Sequence, residues 1–371
     1  MYFPEIDGIR FLAIILVILF HAHGYFLAKT PIDINGHSPS WFDDLLSKGD
    51  RGVELFFVLS GFILCMPFAH HYINKGKPVK LKKYYLRRVT RLEPPYILAI
   101  TGIFLLQVMM HANGSMSVAE QLKHYFASLT YTHGIIFHTV PIITVVAWSL
   151  EIEIQFYLLA PLLFRVLLLP PAARRIIITC AIIAIVLLQH AYMPTVLYLS
   201  IYRLIQYFLI GIFLADLYVS DALKDIMNSK IMVVVFAILL PVICMMPLKG
   251  VLYAELAFPF LIGMMYLIVM KNEAVKKVFS FKFIPVIGGM CYSIYLIHYT
   301  VISIVGRFTK NITITQEYLP NLLLQLVLLT VAALAVSSVY YLLVERPFMD
   351  QKWTNKLMKK DIRHEEMNTQ A

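Results

Sequence analysis

Charge is scarce in this 371-residue chain, in which Asp, Glu, Lys and Arg together make up 15%. Soluble domains carry about 25%, so too few ionic groups are present to coat a water-soluble globule of this size. Cysteine is equally sparse: Cys65, Cys180, Cys244 and Cys291 stand singly in apolar stretches with no CxxC pair, which argues against a disulfide framework and a zinc site. No repeat, low-complexity tract or Gly/Ser linker divides the chain. It reads as one membrane domain over residues 1–350 followed by a short charged tail, 351–371. Lys and Arg outnumber Asp and Glu by 32 to 22, a net charge of +10. The basic residues are scattered through loops without a recognition fold to present them, which excludes nucleic acid as a partner.

Apolar residues fill the space that charge leaves. Hydrophobic residues make up 60% of the chain and the mean hydropathy is +0.74. Stretches long enough to cross about 30 Å of hydrocarbon occur near 9–28, 53–72, 94–112, 142–169, 176–190, 197–218, 231–248, 251–270, 285–306 and 320–344. The expected fold class is therefore an all-α integral membrane protein, a bundle of about ten transmembrane helices. With a cytoplasmic N-terminus, inner loops and tail hold 23 of the 32 Lys and Arg, including eight in 75–91, whereas the outer loops hold seven. That asymmetry places both termini in the cytoplasm. The first ten residues set Glu5 and Asp7 against a single Arg10, which argues for an uncleaved first span over a signal peptide.

The first span, DGIRFLAIILVILFHAHGYF, sets Arg10 and His21 eleven positions apart. Three helical turns separate them, so they share one face to within about 20° and stand about 16 Å apart. Ionisable side chains inside a span cost about 2.5 kcal/mol or more and normally face a protein interior or a watery path. Other polar positions are fewer and each has a bland alternative. Glu54 in RGVELFFVLSGF either reaches the interface or joins a site, and Ser60 and Gly61 make a small-residue notch suited to close helix packing. In RRVTRLEPPY, Arg88 and Arg91 share a helix face and offer fork-shaped donors to phosphate, although such a loop also serves as a positive-inside anchor. Glu151 and Glu153 in WSLEIEIQFY point about 160° apart, so only one can face a given pocket. His298 in YSIYLIH is a core histidine or a site residue, and Glu345 with Arg346 in VERPF reads as a structural stop before Pro347.

The ordered set of these motifs resembles the membrane-bound acyltransferase-3 family, which includes bacterial O-antigen and other surface-carbohydrate O-acetyltransferases. The resemblance covers roughly residues 5–350. Arg10 and His21 match the family's R-x10-H hallmark, Arg88 and Arg91 its RxxR motif, and Glu153 the glutamate of its WSLxxE pattern. Three positions depart: Glu54 where Asp is common, Ile154 in place of a second glutamate, and RLEPPY where R-(I/L)-Y-P is usual. The resemblance implies a multi-pass protein of the bacterial plasma membrane, and one without the SGNH esterase-like domain of some relatives. No metal or permanently bound cofactor is implied. Acetyl-CoA, or another acyl-CoA, is the expected co-substrate.

Acyl transfer from a thioester to an alcohol needs a base for the hydroxyl proton, a grip on an anionic coenzyme and donors for the carbonyl oxyanion. His21 is the expected base, with an ordinary pKa near 6.5. Glu153 is expected to orient or stabilise its imidazole, Arg10, Arg88 and Arg91 to hold the acyl-CoA, and Glu54 and His298 to support the site. The acceptor is a carbohydrate hydroxyl or a lipid-linked glycan at the bilayer. A carrier or flippase for a glycan or lipid-linked precursor is the alternative from another class. Oligomeric state stays open, because small-residue helix faces pack equally within one chain or between chains.

Overall fold

The structure, a computed structural model, describes residues 3–30 and 40–349; the charged tail at 351–371 lies outside the described residues. The described residues contain no strand. In chain order the helices are α1 (Pro4–Lys29), α2 (Trp41–Ser47), α3 (Gly52–Asn74), α4 (Leu81–Met109), α5 (Val118–Leu129), α6 (His133–Phe137), α7 (Ala147–Leu163) and α8 (Pro171–Ala191). They continue as α9 (Ile205–Val219), α10 (Lys224–Met227), α11 (Lys230–Met245), α12 (Leu252–Lys271), α13 (Glu273–Phe279), α14 (Phe283–Gly289), α15 (Cys291–Thr309) and α16 (Tyr318–Tyr340). A π-helical turn over Tyr341–Glu345 and a last short helix, α17 (Arg346–Phe348), follow.

Every expected apolar stretch falls on helix, yet by length and composition six helical segments qualify as membrane spans, or seven if α14 and α15, which meet at 75°, count as one broken span. The shortfall from ten lies in α7, α9 and α11, which are 17, 15 and 16 residues long. About 20 residues are needed to cross at right angles, so these three are short for the hydrocarbon core. The chain is a multi-pass helical membrane protein. Its outward faces carry the apolar side chains a bilayer requires, among them Leu188, Val234, Ile238 and Leu343.

Helix α3 is the central element. In its apolar window 72% of residues are buried, against 22% for α8 and 33% for α4. It lies closest to α9, and glycines set that approach. A Cβ at Gly61 would stand 2.3 Å from the Phe208 carbonyl oxygen, and one at Gly211 would stand 2.3 Å from that of Val58. The notch at Ser60 and Gly61 is thus a helix crossing at its glycine. Gly211→Ala is expected to lower stability by roughly 1–3 kcal/mol through overpacking. Gly102→Ala, where a Cβ meets nothing within 4 Å, is the matched control in a thermal-unfolding measurement in detergent.

Three polar clamps fix the helix ends. Buried Asp216 on α9 takes Arg174 Nε at 2.7 Å and Arg175 Nε at 2.6 Å, tying the start of α8 to α9. The Arg51 guanidinium donates to the Ile243 and Met246 carbonyls at the end of α11, where exposed carbonyls favour a cation. Asp43 on α2 accepts from Tyr318 Oη at 2.6 Å and pairs with His23 Nε2 at 3.2 Å, so α1 and α16 are fastened beside the end that carries His21.

Candidate active site

A cavity of about 130 Å³ opens where α1, α3, α4, α7 and α15 converge, and Arg10, Arg88, Arg91, Ser60, Glu153 and Tyr295 all line it. Arg10 comes from α1, one turn beyond Asp7, with which it forms an ion pair. Arg88 and Arg91 are three residues apart on α4, and that spacing turns both guanidiniums to one side. Arg87, the third arginine of the segment, is exposed and lies outside the lining. The Arg88 guanidinium lies 5.8 Å from the Tyr157 ring centre. The Arg91 Nε is buried without a hydrogen-bond partner, an incomplete state for a fork-shaped donor.

Glu153 belongs to this arginine cavity. Its Oε1 accepts from the Ser60 hydroxyl at 2.5 Å. The structure does not place it beside His21, where the triad-like role would require it. Glu151, on the other side of α7, accepts from the Gly134 amide at 2.8 Å and so caps the start of α6. That short helix is secured by a histidine pair outside the spans. His133 Nδ1–H donates to the Thr139 carbonyl at 3.1 Å, which leaves Nε2 to accept from His124 Nδ1–H at 2.8 Å. Burial pushes His133 down to about 4.

His21 does not line the cavity. Its ring centre is 5.2 Å from that of His298 and 5.1 Å from Tyr299. His298 is fully buried, with Nδ1 3.0 and 2.9 Å from the Ile294 and Tyr295 carbonyls. Carbonyls only accept, so Nδ1 carries the proton, and Nε2 stays buried without a partner. His298 is therefore half-satisfied by its own helix and offers its second nitrogen beside His21. Tyr295 bridges the two regions: it lines the cavity, lies 5.8 Å from His298 ring to ring, and shares a 2.6 Å hydrogen bond with the Ser149 hydroxyl. Glu54 does not line the cavity; its electrostatic neighbours include Asp50, Arg51 and Arg203, and it is felt at Tyr295.

Sequence reasoning missed three contributors. Ser60 looked like packing, and only the fold shows its hydroxyl on Glu153. Tyr295 sits three residues before His298 on one helix face, a signal that YSIYLIH already contained. Glu345 is not a helix stop paired with Arg346. It is fully buried on the π-helical turn, and its Oε2 accepts from the Ser293 amide at 3.1 Å and hydroxyl at 2.6 Å, fixing the first turn of the helix that carries Tyr295 and His298.

A family model described as an acyltransferase domain matches residues 3–342. The chain belongs to the acyltransferase-3 family. Among its curated relatives, the peptidoglycan O-acetyltransferase OatA of Listeria monocytogenes is 27% identical over an alignment 385 positions long, gaps included, which covers 95% of this chain and 57% of the relative. The O-acetyltransferase OatA of Staphylococcus aureus is 27% identical over 336 residues, covering 83% of this chain and 52% of the relative. The chain spans about half the length of these relatives. No solved structure matches it. Within the family, the arginine cavity and the His21–His298 pair are built from the motif residues that carried the resemblance.

Proposed function

We propose that this chain is a membrane O-acyltransferase of the bacterial cell membrane, moving an acetyl group from acetyl-CoA to a hydroxyl of cell-wall or other surface carbohydrate, or of its lipid-linked precursor. One observation carries the reading: three guanidiniums converge on a cavity at one end of α1 while His21 occupies the other end of the same helix. The lysine- and arginine-rich segment at 75–91 supports a cytoplasmic side for the arginine end, the compartment of the coenzyme, and the same charge asymmetry supports ten spans with both termini inside.

In this reading Arg10, Arg88 and Arg91 hold phosphate oxygens, and the pantetheine arm extends past Tyr295 toward the histidines. His21 takes the proton of the acceptor hydroxyl as its oxygen attacks the thioester carbonyl. The C–S bond then breaks, and the imidazolium returns the proton to the departing thiolate. Relatives named as peptidoglycan and other O-acetyltransferases support carbohydrate as the acceptor class. Arg88→Lys and Arg91→Lys keep the charge but lose the planar fork, so each is expected to raise the KM for acetyl-CoA about tenfold, the value of one good charge-assisted contact. Exposed Arg87→Lys is expected to leave it unchanged in the same donor titration. The reading as a whole is tested in proteoliposomes supplied with acetyl-CoA and glycan. Acetylated glycan is expected; glycan crossing the membrane with no acetyl-CoA consumed would replace the enzyme by a carrier.

A further inference from the structure

A second, larger cavity adjoins the first. Its volume is about 410 Å³, its walls include Ile6, Phe62 and Met66, and it shares Arg10 and Ile63 with the arginine cavity. Ile6 belongs to the first turn of α1, and Met66 and His70 to the last turns of α3, so the cavity lies at the cytoplasmic end of both helices. His70, exposed, stands at its mouth. No motif pointed to this space, and the mechanism above leaves it unused.

Volume decides what each cavity holds. Ligand pockets for molecules of nucleotide size run roughly from 300 to 1,000 Å³, so the space of about 410 Å³ is large enough for a purine nucleoside and the one of about 130 Å³ is not. The smaller cavity suits a slender chain. Arg10 lines both spaces whereas Tyr295 lines only the smaller, so a guanidinium stands where the two meet, as the phosphates stand between the bulky base and the thioester arm of an acyl-CoA. The larger space has the chemistry of a base-binding pocket as well, apolar and aromatic on its walls with one guanidinium at the junction.

We propose that the cavity between the start of α1 and the end of α3 binds the adenosine end of the donor, with Arg10 at the junction contacting the pyrophosphate. The inference rests on the acyl-CoA reading above and adds to it a nucleotide subsite in which Ile6, Met66 and His70, outside the quoted motifs, join the motif residue Arg10. Asp7, the ion-pair partner of Arg10, faces the same cavity and holds the guanidinium at the junction.

The test fills the cavity from a wall that touches neither the arginine cavity nor the histidines. Met66 is half-buried and lines the larger space alone. In nanodiscs, inhibition of acetyl-CoA-dependent turnover is measured with two halves of the coenzyme, 3′-phosphoadenosine 5′-phosphate and pantetheine. Met66→Trp is expected to weaken inhibition by the nucleotide half at least tenfold while inhibition by pantetheine stays within twofold. Met66→Phe gives a graded, smaller effect that serves if the larger side chain unfolds the protein. Equal inhibition of wild type and both variants by the nucleotide half overturns the subsite. So does a phospholipid that co-purifies with wild type and is lost from Met66→Trp with donor kinetics unchanged. Wild-type protein without acetyl-CoA-dependent turnover would instead overturn the acyl-CoA reading itself, which separates the two failures.

Discussion

His21→Ala is expected to reduce acyl transfer by about 10²–10⁴-fold, the contribution of a positioned general base. Membrane abundance and thermal unfolding should stay near wild type, because the contacts of His21 among the described residues are ring contacts to Phe20, His298 and Tyr299, a small part of the packing of the bundle. His23→Ala is expected to show the opposite pattern. Its Nε2 meets Asp43 at 3.2 Å, so its removal leaves a buried carboxylate short of a donor and costs stability of about 1–3 kcal/mol, with a smaller effect on turnover. Glycan acetylation and melting temperature, measured on both variants, separate the roles. Wild-type turnover by His21→Ala would remove the base from the mechanism.

His298 refines this expectation. Because its Nδ1–H is committed to the Ile294 and Tyr295 carbonyls, the nitrogen left over is an acceptor, and the nearest aromatic ring bearing a proton to share is that of His21. A neutral His21 that directs one N–H toward His298 presents its other nitrogen as a lone pair, the form a base requires. Were the two rings to close that bond, His298 would select the tautomer of His21 in place of a carboxylate, and Glu153, bonded to Ser60, would not be needed there.

Much of this site was legible in one dimension. The eleven-position spacing of Arg10 and His21 on an unbroken helix fixed which ends they occupy, and the three-residue spacing of Arg88 and Arg91 fixed their common face. Helix period also separated Glu151 from Glu153 before any fold was known. It did not say which neighbour each would meet, because that depends on the order in which helices pack, and α7 turns Glu153 toward Ser60 of α3. Span counting goes beyond what helix length alone supports, for a related reason. Hydropathy measures apolar length, whereas the regular α-helical parts of α7, α9 and α11 are shorter than the apolar stretches that contain them. The cavity beside Ile6 and Met66 was illegible altogether, since empty space has no residue type.

Glu153→Gln is expected to lower kcat by about 10²-fold without shifting the pH dependence of kcat/KM. The glutamine retains the size of the side chain and can still accept the Ser60 hydrogen bond, but removes the one carboxylate that lines the arginine cavity. Arg88, which shares the Tyr157 neighbourhood with Glu153, then loses its opposing charge, and the thioester arm is misplaced by a small distance that a proximity-driven reaction punishes steeply. If Glu153 instead served the His21 imidazolium, losing its charge would lower the histidine pKa and move the acid limb of the kcat/KM profile to lower pH. Glu151→Gln supplies the contrast: it weakens the cap on α6 and is expected to lower the melting temperature more than the turnover of the folded fraction. A pH profile displaced by Glu153→Gln would return the carboxylate to the histidine despite its hydrogen bond to Ser60. An unmoved profile with reduced kcat would make it a positioning residue of the donor cavity, which is where the fold puts it.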